Sequence, residues 1–300
     1  MVAQSKNYDI IATIREYEDS VAMSDGERKT YLGVDKKIHL KDGDETVMSP
    51  SYEHHAQKCL EYLRFGNEIT SVIKGNYNRT DALKICDTPE LYVRAGFQQL
   101  PMLYTQRHAR DAICAKTLDN PHKHGLSIEQ LKRIPELLEK PVMLCDSPAR
   151  EDSMLSVLCA VDSDRLPLIA AIRPDGHGHY KMENIETNFI LAVYGRNNFH
   201  KYFENLITPE KVIYFNKERS QELNALAKLQ LLRSYIIEPD LLNTIIRKPQ
   251  CIVNLDKVKN TSPVLKDEAI SMRQAGKQIS KERGIYEKIT DISDKLSPLR

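Results

Sequence analysis

The spacing of apolar residues divides the chain into three parts. In residues 1–86, apolar side chains recur every three or four positions around Ile10–Val21 and again over Tyr52–Ile73, which predicts two amphipathic helices. The stretch between them is polar and rich in turn residues. We therefore expect residues 1–86 to form a mainly helical extension. The predicted buried face of its second helix contains Ala56, Leu60, Leu63 and Ile69.

Residues 87–236 begin with predicted helices. Asp87 is read as an N-cap and Pro89 as the first helical residue of a short helix that ends near Gly96. A second helix is predicted at about Tyr104–Lys116.

A third helix is predicted after Ser127. Ser127 and Gln130 have the three-residue spacing of a capping box. Pro135 should kink this helix and Pro141 should end it, because proline cannot donate the helical hydrogen bond. Its predicted buried stripe contains Leu131, Ile134, Leu137 and Leu138.

After Pro141 the hydrophobic period changes to two, which is typical of strands. A glycine-rich turn is predicted at residues 173–183, and helices are predicted at residues 197–206 and 217–236. Helices followed by a meander of strands predict an α+β fold with an antiparallel sheet. The predicted strands are Val142–Asp146, Met154–Val161, Leu166–Arg173, Phe189–Tyr194 and Lys211–Phe215.

Residues 237–300 lose the apolar periodicity and read as a charged extension that is partly helical, with a helix at about residues 267–283. No apolar run approaches the length of a membrane span, so no membrane partner is expected. The N-terminus lacks an apolar signal core, which predicts a cytoplasmic location in the host cell, where cysteines are expected to be free thiols. The six cysteines form no CxxC pair, so no zinc site is predicted.

Charge is balanced over the whole chain but not along it. Lysine and arginine (43) almost cancel aspartate and glutamate (42), leaving a net charge of +1. This excludes a protein that holds nucleic acid by bulk charge, although it permits a local basic cleft. The first fifty residues are mildly acidic and the last forty-five are net basic.

Two motifs carry a resemblance to a known family. The first is HG-x-x-x-x-x-L-x-x-[IL]-P-x-L-L-x-x-P-V, which begins at His124, and the second is V-Y-G-[KR]-x-N, which begins at Val193. In this order and at this spacing, residues 87–235 resemble the C-terminal toxin-like domain of MuF-type phage head-morphogenesis proteins, which also occurs in large polyvalent proteins of mobile elements. That family is assigned to the barnase–EndoU–colicin–RelE-like nucleases.

The resemblance implies a barnase- or RelE-like arrangement and a toxin or effector that cleaves RNA without a metal. Such an endoribonuclease needs a base for the ribose 2′-hydroxyl, an acid for the leaving oxygen and cations for the phosphorane. The implied partners are RNA, such as a tRNA or mRNA, and an immunity or host protein. No cofactor and no metal are predicted.

The candidate catalytic residues are cations and proton carriers near the ends of predicted elements. His124 lies just ahead of a helix N-terminus, where phosphate binds readily, and Arg173 could clamp a phosphate. Tyr194 could stack on a base or donate a proton, and Arg196 occupies a position that is basic in the family. Each also has a structural interpretation: a loop-ordering histidine, a strand-end ion pair, or a packed strand-to-helix corner.

Four further residues are candidates for substrate binding. Gly195 would allow a ligand close to the backbone, and Lys217 supplies a cation near a strand end. His108 and Asn197 are also included, although a solvated helix face and an N-cap are competing interpretations. His177 and His179 have metal-like spacing, but no third ligand is evident.

A second hypothesis comes from a different functional class. The chain could be a non-catalytic binding protein of phage or mobile-element origin that engages a host protein or nucleic acid. The catalytic hypothesis requires His124, Arg173, Tyr194 and Arg196 to converge in one cleft, whereas the binding hypothesis allows them to scatter.

Overall fold

A computed structural model describes residues 12–24, 50–115, 117, 123–197, 199, 201–202, 209–227 and 243–260. The chain divides into two compact units, residues 1–252 and residues 253–300. The sheet lies in the first unit. The described part of the second unit is helical, at residues 253–260.

The described residues form α-helices and β-strands, with helices frequent before residue 140 and four strands in succession after it. The helices are α1 (residues 12–20), α2 (Pro50–Ile73), α3 (Glu90–Arg94), α4 (Gln106–Ile113), α5 (Ile128–Lys132), α6 (Ile134–Glu139), α7 (Lys217–Ala227) and α8 (Gln250–Asn260). The strands are β1 (Leu83–Asp87), β2 (Pro101–Tyr104), β3 (Met143–Asp146), β4 (Met154–Val161), β5 (Pro167–Tyr180), β6 (Glu183–Gly195) and β7 (Val212–Phe215).

Seven strands form one sheet in the order β1-β2-β6-β5-β4-β3-β7. Neighbouring strands are antiparallel except β2 and β6, which are parallel. The predicted α+β class with a mostly antiparallel sheet is therefore confirmed. The predicted domain boundary after residue 86 lies within β1, the edge strand.

Helices cover both faces of the sheet. The Tyr92 hydroxyl of α3 lies 2.8 Å from the Ser156 hydroxyl of β4. Leu155 and Val157, which flank Ser156, pack instead in a core cluster with Leu223 of α7. Because successive strand residues point to opposite faces, α3 and α7 lie on opposite sides of β4.

The β5–β6 hairpin is the longest feature of the sheet, and it corrects one prediction. The two strands pair from Leu168–Gly195 to Tyr180–Glu183, and only Lys181 and Met182, both with positive φ, form the turn. The predicted glycine-rich turn at residues 173–183 is therefore wrong, because most of that segment is strand.

The glycines of this segment serve close packing instead of chain reversal. A Cβ at Gly178 would lie 2.6 Å from the Cδ1 of Leu103 and 2.9 Å from the Cζ of Phe189. A Cβ at Gly176 would also approach Phe189, at 3.0 Å. The two glycines therefore let the Phe189 ring lie across β5.

Helix α2 confirms its predicted bounds closely and most of its predicted face, since Ala56 and Ile69 are buried and Leu63 is half-buried. Leu60 is 54% exposed, so its assignment to the buried face is wrong. The buried side chains keep the helical period, and Tyr62 and Phe65 lie at the centre of the face in place of Leu60. The buried face contains Ala56, Cys59, Tyr62, Phe65, Ile69 and Val72.

Helix α1 packs on this face of α2. Ile14, Tyr17 and Val21 share a core cluster with Ala56 and Cys59. The predicted helical pattern is confirmed over these residues, whereas Ile10 and Ile11 lie outside the described part of the chain.

Two predicted helix starts are wrong because Asp87 and Tyr104 belong to strands of the sheet. Asp87 is the last residue of β1, and Pro89 takes the N-cap position of α3 with no side-chain cap. Tyr104 ends β2, and Thr105 caps α4 by accepting a hydrogen bond from the His108 amide.

The third predicted helix is confirmed, but it is divided into two short helices, α5 and α6. Ser127 and Gln130 form the expected capping box. The helix breaks at Arg133 and restarts at Ile134, so that Pro135 lies at a helix start and needs no hydrogen-bond acceptor. The stripe of Leu131, Ile134, Leu137 and Leu138 is buried as predicted.

Other predictions meet the limits of the described residues. The helix predicted at residues 197–206 is described at 197, which lies in a turn, and at 199, 201 and 202, which are helical. The helix predicted at 217–236 is described as far as Ala227. The helix predicted at residues 267–283 lies outside the described residues. All six cysteines are free, as predicted. In the part of the chain that the structure describes, no helix has the length and apolarity needed to cross a membrane.

Candidate functional site

The loop before α5 brings His124 to the end of β6. The amide of Gly125 donates to the Cys114 carbonyl (2.8 Å), and the amide of Leu126 donates to the Ala112 carbonyl (2.8 Å), so the loop runs back along α4. Gly125 has a φ of +65°, a conformation that favours glycine. Glycine at this position therefore fixes the direction in which the loop carries His124.

His124 packs against Tyr194. Their ring centroids are 5.4 Å apart with an interplanar angle of 33°. Beyond Tyr194, the guanidinium of Arg196 lies 3.9 Å from the ring centroid of Tyr202. We call His124, Tyr194, Arg196 and Tyr202 the aromatic–arginine cluster.

Burial makes the two tyrosines of the cluster harder to deprotonate than ordinary tyrosines. Burial raises the pKa of Tyr194, although the nearby Arg196 opposes the shift. Burial also raises the pKa of Tyr202, to about 12. At neutral pH both hydroxyls can therefore donate a proton in a hydrogen bond, but neither can act as a base.

Arg196 is held by packing and by its own backbone. Its amide donates to the Pro167 carbonyl (3.0 Å), while its Nε is buried with no hydrogen-bond partner among the described residues. Stacking on Tyr202 provides a cation–π contact of about 0.5–2 kcal/mol. The cation is thereby held in place, and no carboxylate of the described residues forms an ion pair with it.

The lack of a side chain at Gly195 leaves room for the carboxylate of Asp162. A Cβ at this position would overlap the Oδ2 atom of Asp162 and lie 2.5 Å from its Cγ. Asp162 is buried and accepts hydrogen bonds from the amides of Asp164 (2.9 Å) and Leu166 (2.8 Å). The close approach at Gly195 is therefore made to Asp162.

Arg173 does not end a strand, because β5 continues to Tyr180. It lies four residues beyond Ile169, the register partner of Tyr194, which separates the two positions by about 13 Å along the strand. The guanidinium of Arg173 is 5.8 Å from the ring centroid of Phe189. The structure therefore brings His124, Tyr194 and Arg196 together and places Arg173 farther along the sheet.

The remaining candidates are dispersed. The His108 carbonyl accepts a hydrogen bond from Tyr104, burial lowers the pKa of the His108 ring, and its Nδ1 is buried with no partner in the described residues. Asn197 follows β6 and Lys217 begins α7, and both are exposed.

Two residues that build this region carry no sequence signal for it. Tyr202 lies six residues after Arg196, and this separation in sequence does not by itself predict a contact between the two side chains. Asp162 lies in the β4–β5 connection and reaches Gly195 only because β5 pairs with β6. Among the described residues, no group of three or more His, Cys, Asp or Glu side chains could hold a metal ion.

Comparison with known families identifies one region. Residues 116–222 match the phage MuF C-terminal domain. The match covers about a third of the chain and includes all four residues of the aromatic–arginine cluster. Searches of curated proteins and of solved structures gave no match.

This match corrects the predicted function. The phage part of the resemblance is supported, but nothing in the comparisons supports the nuclease assignment. The prediction of an RNA-cleaving toxin, and of a hydrolase, is therefore wrong, because a MuF C-terminal domain points to a structural role in phage head morphogenesis.

Proposed function

We propose that this chain is a structural component in the morphogenesis of a phage head, with residues 116–222 as its MuF-type module. The observation that carries the proposal is the match of that region to the phage MuF C-terminal domain. The module contains β3 to β7, α5, α6 and the first residues of α7.

The packing of the sheet supports a working unit larger than the match. Strands β1 and β2 precede residue 116, yet β2 pairs with β6 of the module over Met102–Tyr104. The Tyr92 hydroxyl, also outside the match, forms a buried hydrogen bond with Ser156 inside it. Tests of the proposal therefore use the full chain.

The aromatic–arginine cluster supports a role in architecture. Its two tyrosines are protonated at neutral pH, and its arginine is stacked on a ring. Such packing fixes the corner after β6, which suits a structural component better than a catalytic site.

The finer predictions stay as working proposals beside this one. They are the barnase- or RelE-like arrangement of the α+β fold and the division into residues 1–86, 87–236 and 237–300. RNA, such as a tRNA or mRNA, and an immunity or host protein stay predicted partners.

The test is the composition and yield of heads from a phage that encodes this chain. Heads and head precursors are purified from wild type and from a strain in which the gene is deleted, and are compared by mass spectrometry and electron microscopy. We expect the chain in wild-type heads or precursors, and fewer complete heads after deletion. Heads that lack the chain in the wild type and form at normal yield in the deletion strain would refute the proposal.

A further inference from the structure

A second concave site lies away from the aromatic–arginine cluster. It is a pocket of about 750 Å³ between the start of α4, the loop before β1 and the far half of the β5–β6 hairpin. Cationic and ring side chains line it, and Asp81 is the one acidic residue of the lining. We call this site the basic pocket, and its principal side chains are Arg79, Arg107, Arg110, His177, His179 and Phe189.

Asp81, the acidic residue of the basic pocket, is already hydrogen-bonded to other groups of the protein. The Oδ1 atom of Asp81 lies 2.6 Å from Nδ1 of His179 and accepts a hydrogen bond from the Met182 amide (3.2 Å). Its Oδ2 atom accepts from the Asn78 side chain (3.2 Å). The carboxylate therefore holds the hairpin turn against the loop, and its charge is engaged by protein groups.

One arginine of the basic pocket is held in position. The Gln106 Oε1 atom accepts a hydrogen bond from Arg110 (3.1 Å). The Gln106 Nε2 atom donates to the carbonyls of Asn78 (2.5 Å) and Asp81 (2.7 Å), and the residue is only 7% exposed. Gln106 therefore ties α4 to the loop and orients the Arg110 guanidinium.

The other cations are less engaged. The Nε of Arg107 lies 3.8 Å from Asp111, which Lys123 contacts more closely at 2.9 Å, and the Arg107 side chain is 89% exposed. The side chains of Arg79 and His177 are exposed and make no hydrogen bond or ion pair with the described residues. The pocket therefore offers several donors that the protein itself does not satisfy.

We propose that the basic pocket binds phosphate groups. Guanidinium groups present forked donors that match phosphate oxygens, and Arg79, Arg107 and Arg110 come from two elements to one concave surface. The volume is in the range of sites for small ligands, and the half-buried Phe189 ring gives the pocket an apolar wall. The phosphate belongs either to a free phosphorylated compound or to a nucleic-acid backbone.

This inference is independent of the proposed function. The three arginines precede residue 116 and therefore lie outside the matched module. Loss of phosphate binding would leave the head-assembly proposal untouched, and a phage with normal heads after deletion would leave the basic pocket untouched.

The test is calorimetric titration of the full chain with pyrophosphate, in low salt and in high salt. Wild type should bind, and added salt should weaken the binding because charge provides most of it. Arg107→Gln and Arg110→Gln should each weaken binding about 10- to 100-fold, the loss expected for a charge-assisted hydrogen bond. Arg94→Gln is the matched control, since Arg94 is exposed on α3 and does not line the pocket.

Parallel titrations with other ligands identify the source of the phosphate and show whether the proposal fails. Single-stranded DNA that binds much more tightly than pyrophosphate would assign the site to a nucleic-acid backbone, and comparable affinities would assign it to a free phosphorylated compound. Thermal unfolding verifies that each variant is folded. Absence of pyrophosphate binding, equal binding by the pocket variants and Arg94→Gln, or binding of a polyglutamate peptide in place of both phosphate probes would overturn the proposal.

Discussion

Replacement of Gly195 by alanine tests the corner on which the candidate site is built. The added methyl group would overlap Asp162 and lie 3.1 Å from the Cβ of Leu166. Gly195 does not have a positive φ, so backbone strain contributes nothing and the effect is purely steric. Either Asp162 or the end of β6 must move to accommodate the methyl group.

The loss of stability in Gly195→Ala follows from the hydrogen bonds that the Asp162 carboxylate accepts. Its carboxylate accepts hydrogen bonds from the amides of Asp164 and Leu166, and the residue is 6% exposed, so its displacement breaks both bonds in a buried place. Each lost bond costs about 1 kcal/mol or more. Overpacking of a tight site costs about 1–3 kcal/mol by itself. We therefore expect Gly195→Ala to lower the free energy of unfolding by about 3–5 kcal/mol.

Urea unfolding of the full chain measures this change, and a second glycine provides the control. Gly66 lies inside α2, and a Cβ there would meet the Lys132 side chain at an ordinary 3.5 Å. Gly66→Ala should stabilise the protein by about 0.5–1 kcal/mol, because alanine loses less conformational freedom in a helix.

A double variant tests the assigned contact directly. In an Asp162→Ala background the methyl group at position 195 has no carboxylate to displace, so it should cost at least about 1 kcal/mol less than in wild type. Equal costs in the two backgrounds, or a Gly195→Ala variant as stable as wild type, would refute the reasoning.

Three other predictions test separate contacts. Tyr92→Phe and Ser156→Ala should each cost about 1–3 kcal/mol because each leaves a buried hydroxyl without its partner, and in urea unfolding the double variant should cost less than their sum; additive costs would argue against the bond. Burial lowers the pKa of His55 from 6.5 to about 4, so the unfolded chain takes up a proton in that interval that the native chain does not, and stability should fall with pH there. Between neutral pH and about pH 4, the urea midpoint of His55→Gln should fall less than that of wild type. An equal fall in the two proteins would show that His55 does not cause the loss of stability. Arg247→Ala removes the 2.6 Å ion pair with Asp146 and should speed proteolytic cleavage within residues 243–252, whereas an unchanged rate would show that the pair does not hold this segment.

Local patterns predict most of the sheet correctly. The run Met154–Val161 is a strand with the predicted bounds, and Val212–Phe215 begins one residue after its predicted start. The capping box of Ser127 and Gln130 is also confirmed, because it depends only on residues three positions apart. Such features can be read from sequence because their interactions are local.

Errors appear where a distant strand decides the conformation. Asp87 and Tyr104 look like helix residues in isolation, but the β1–β2 ladder pairs Asp87 with Pro101 and Leu83 with Tyr104. Gly176 and Gly178 look like turn residues, yet the Phe189 ring requires glycine there within a strand. Propensity yields to pairing and packing that the local pattern does not contain.

The candidate site shows the same limit. The two motifs place His124 and Tyr194 at element ends, but their ring contact exists because the loop runs back along α4 and β6 reaches the same end of the sheet. Asp81 and His179 are 98 positions apart and meet only when the hairpin folds onto the loop before β1. No spacing rule connects residues at such separations.

The sequence by itself therefore determined the α+β class, the capping of the central helix, most of the strands and the phage resemblance, since periodicity, caps and motifs are written in neighbouring residues. Tertiary structure alone decided the strand order, the parallel pairing of β2 with β6, the neighbours of Gly195 and the basic pocket. These depend on which distant surfaces bury one another, and that choice is made by the whole chain at once.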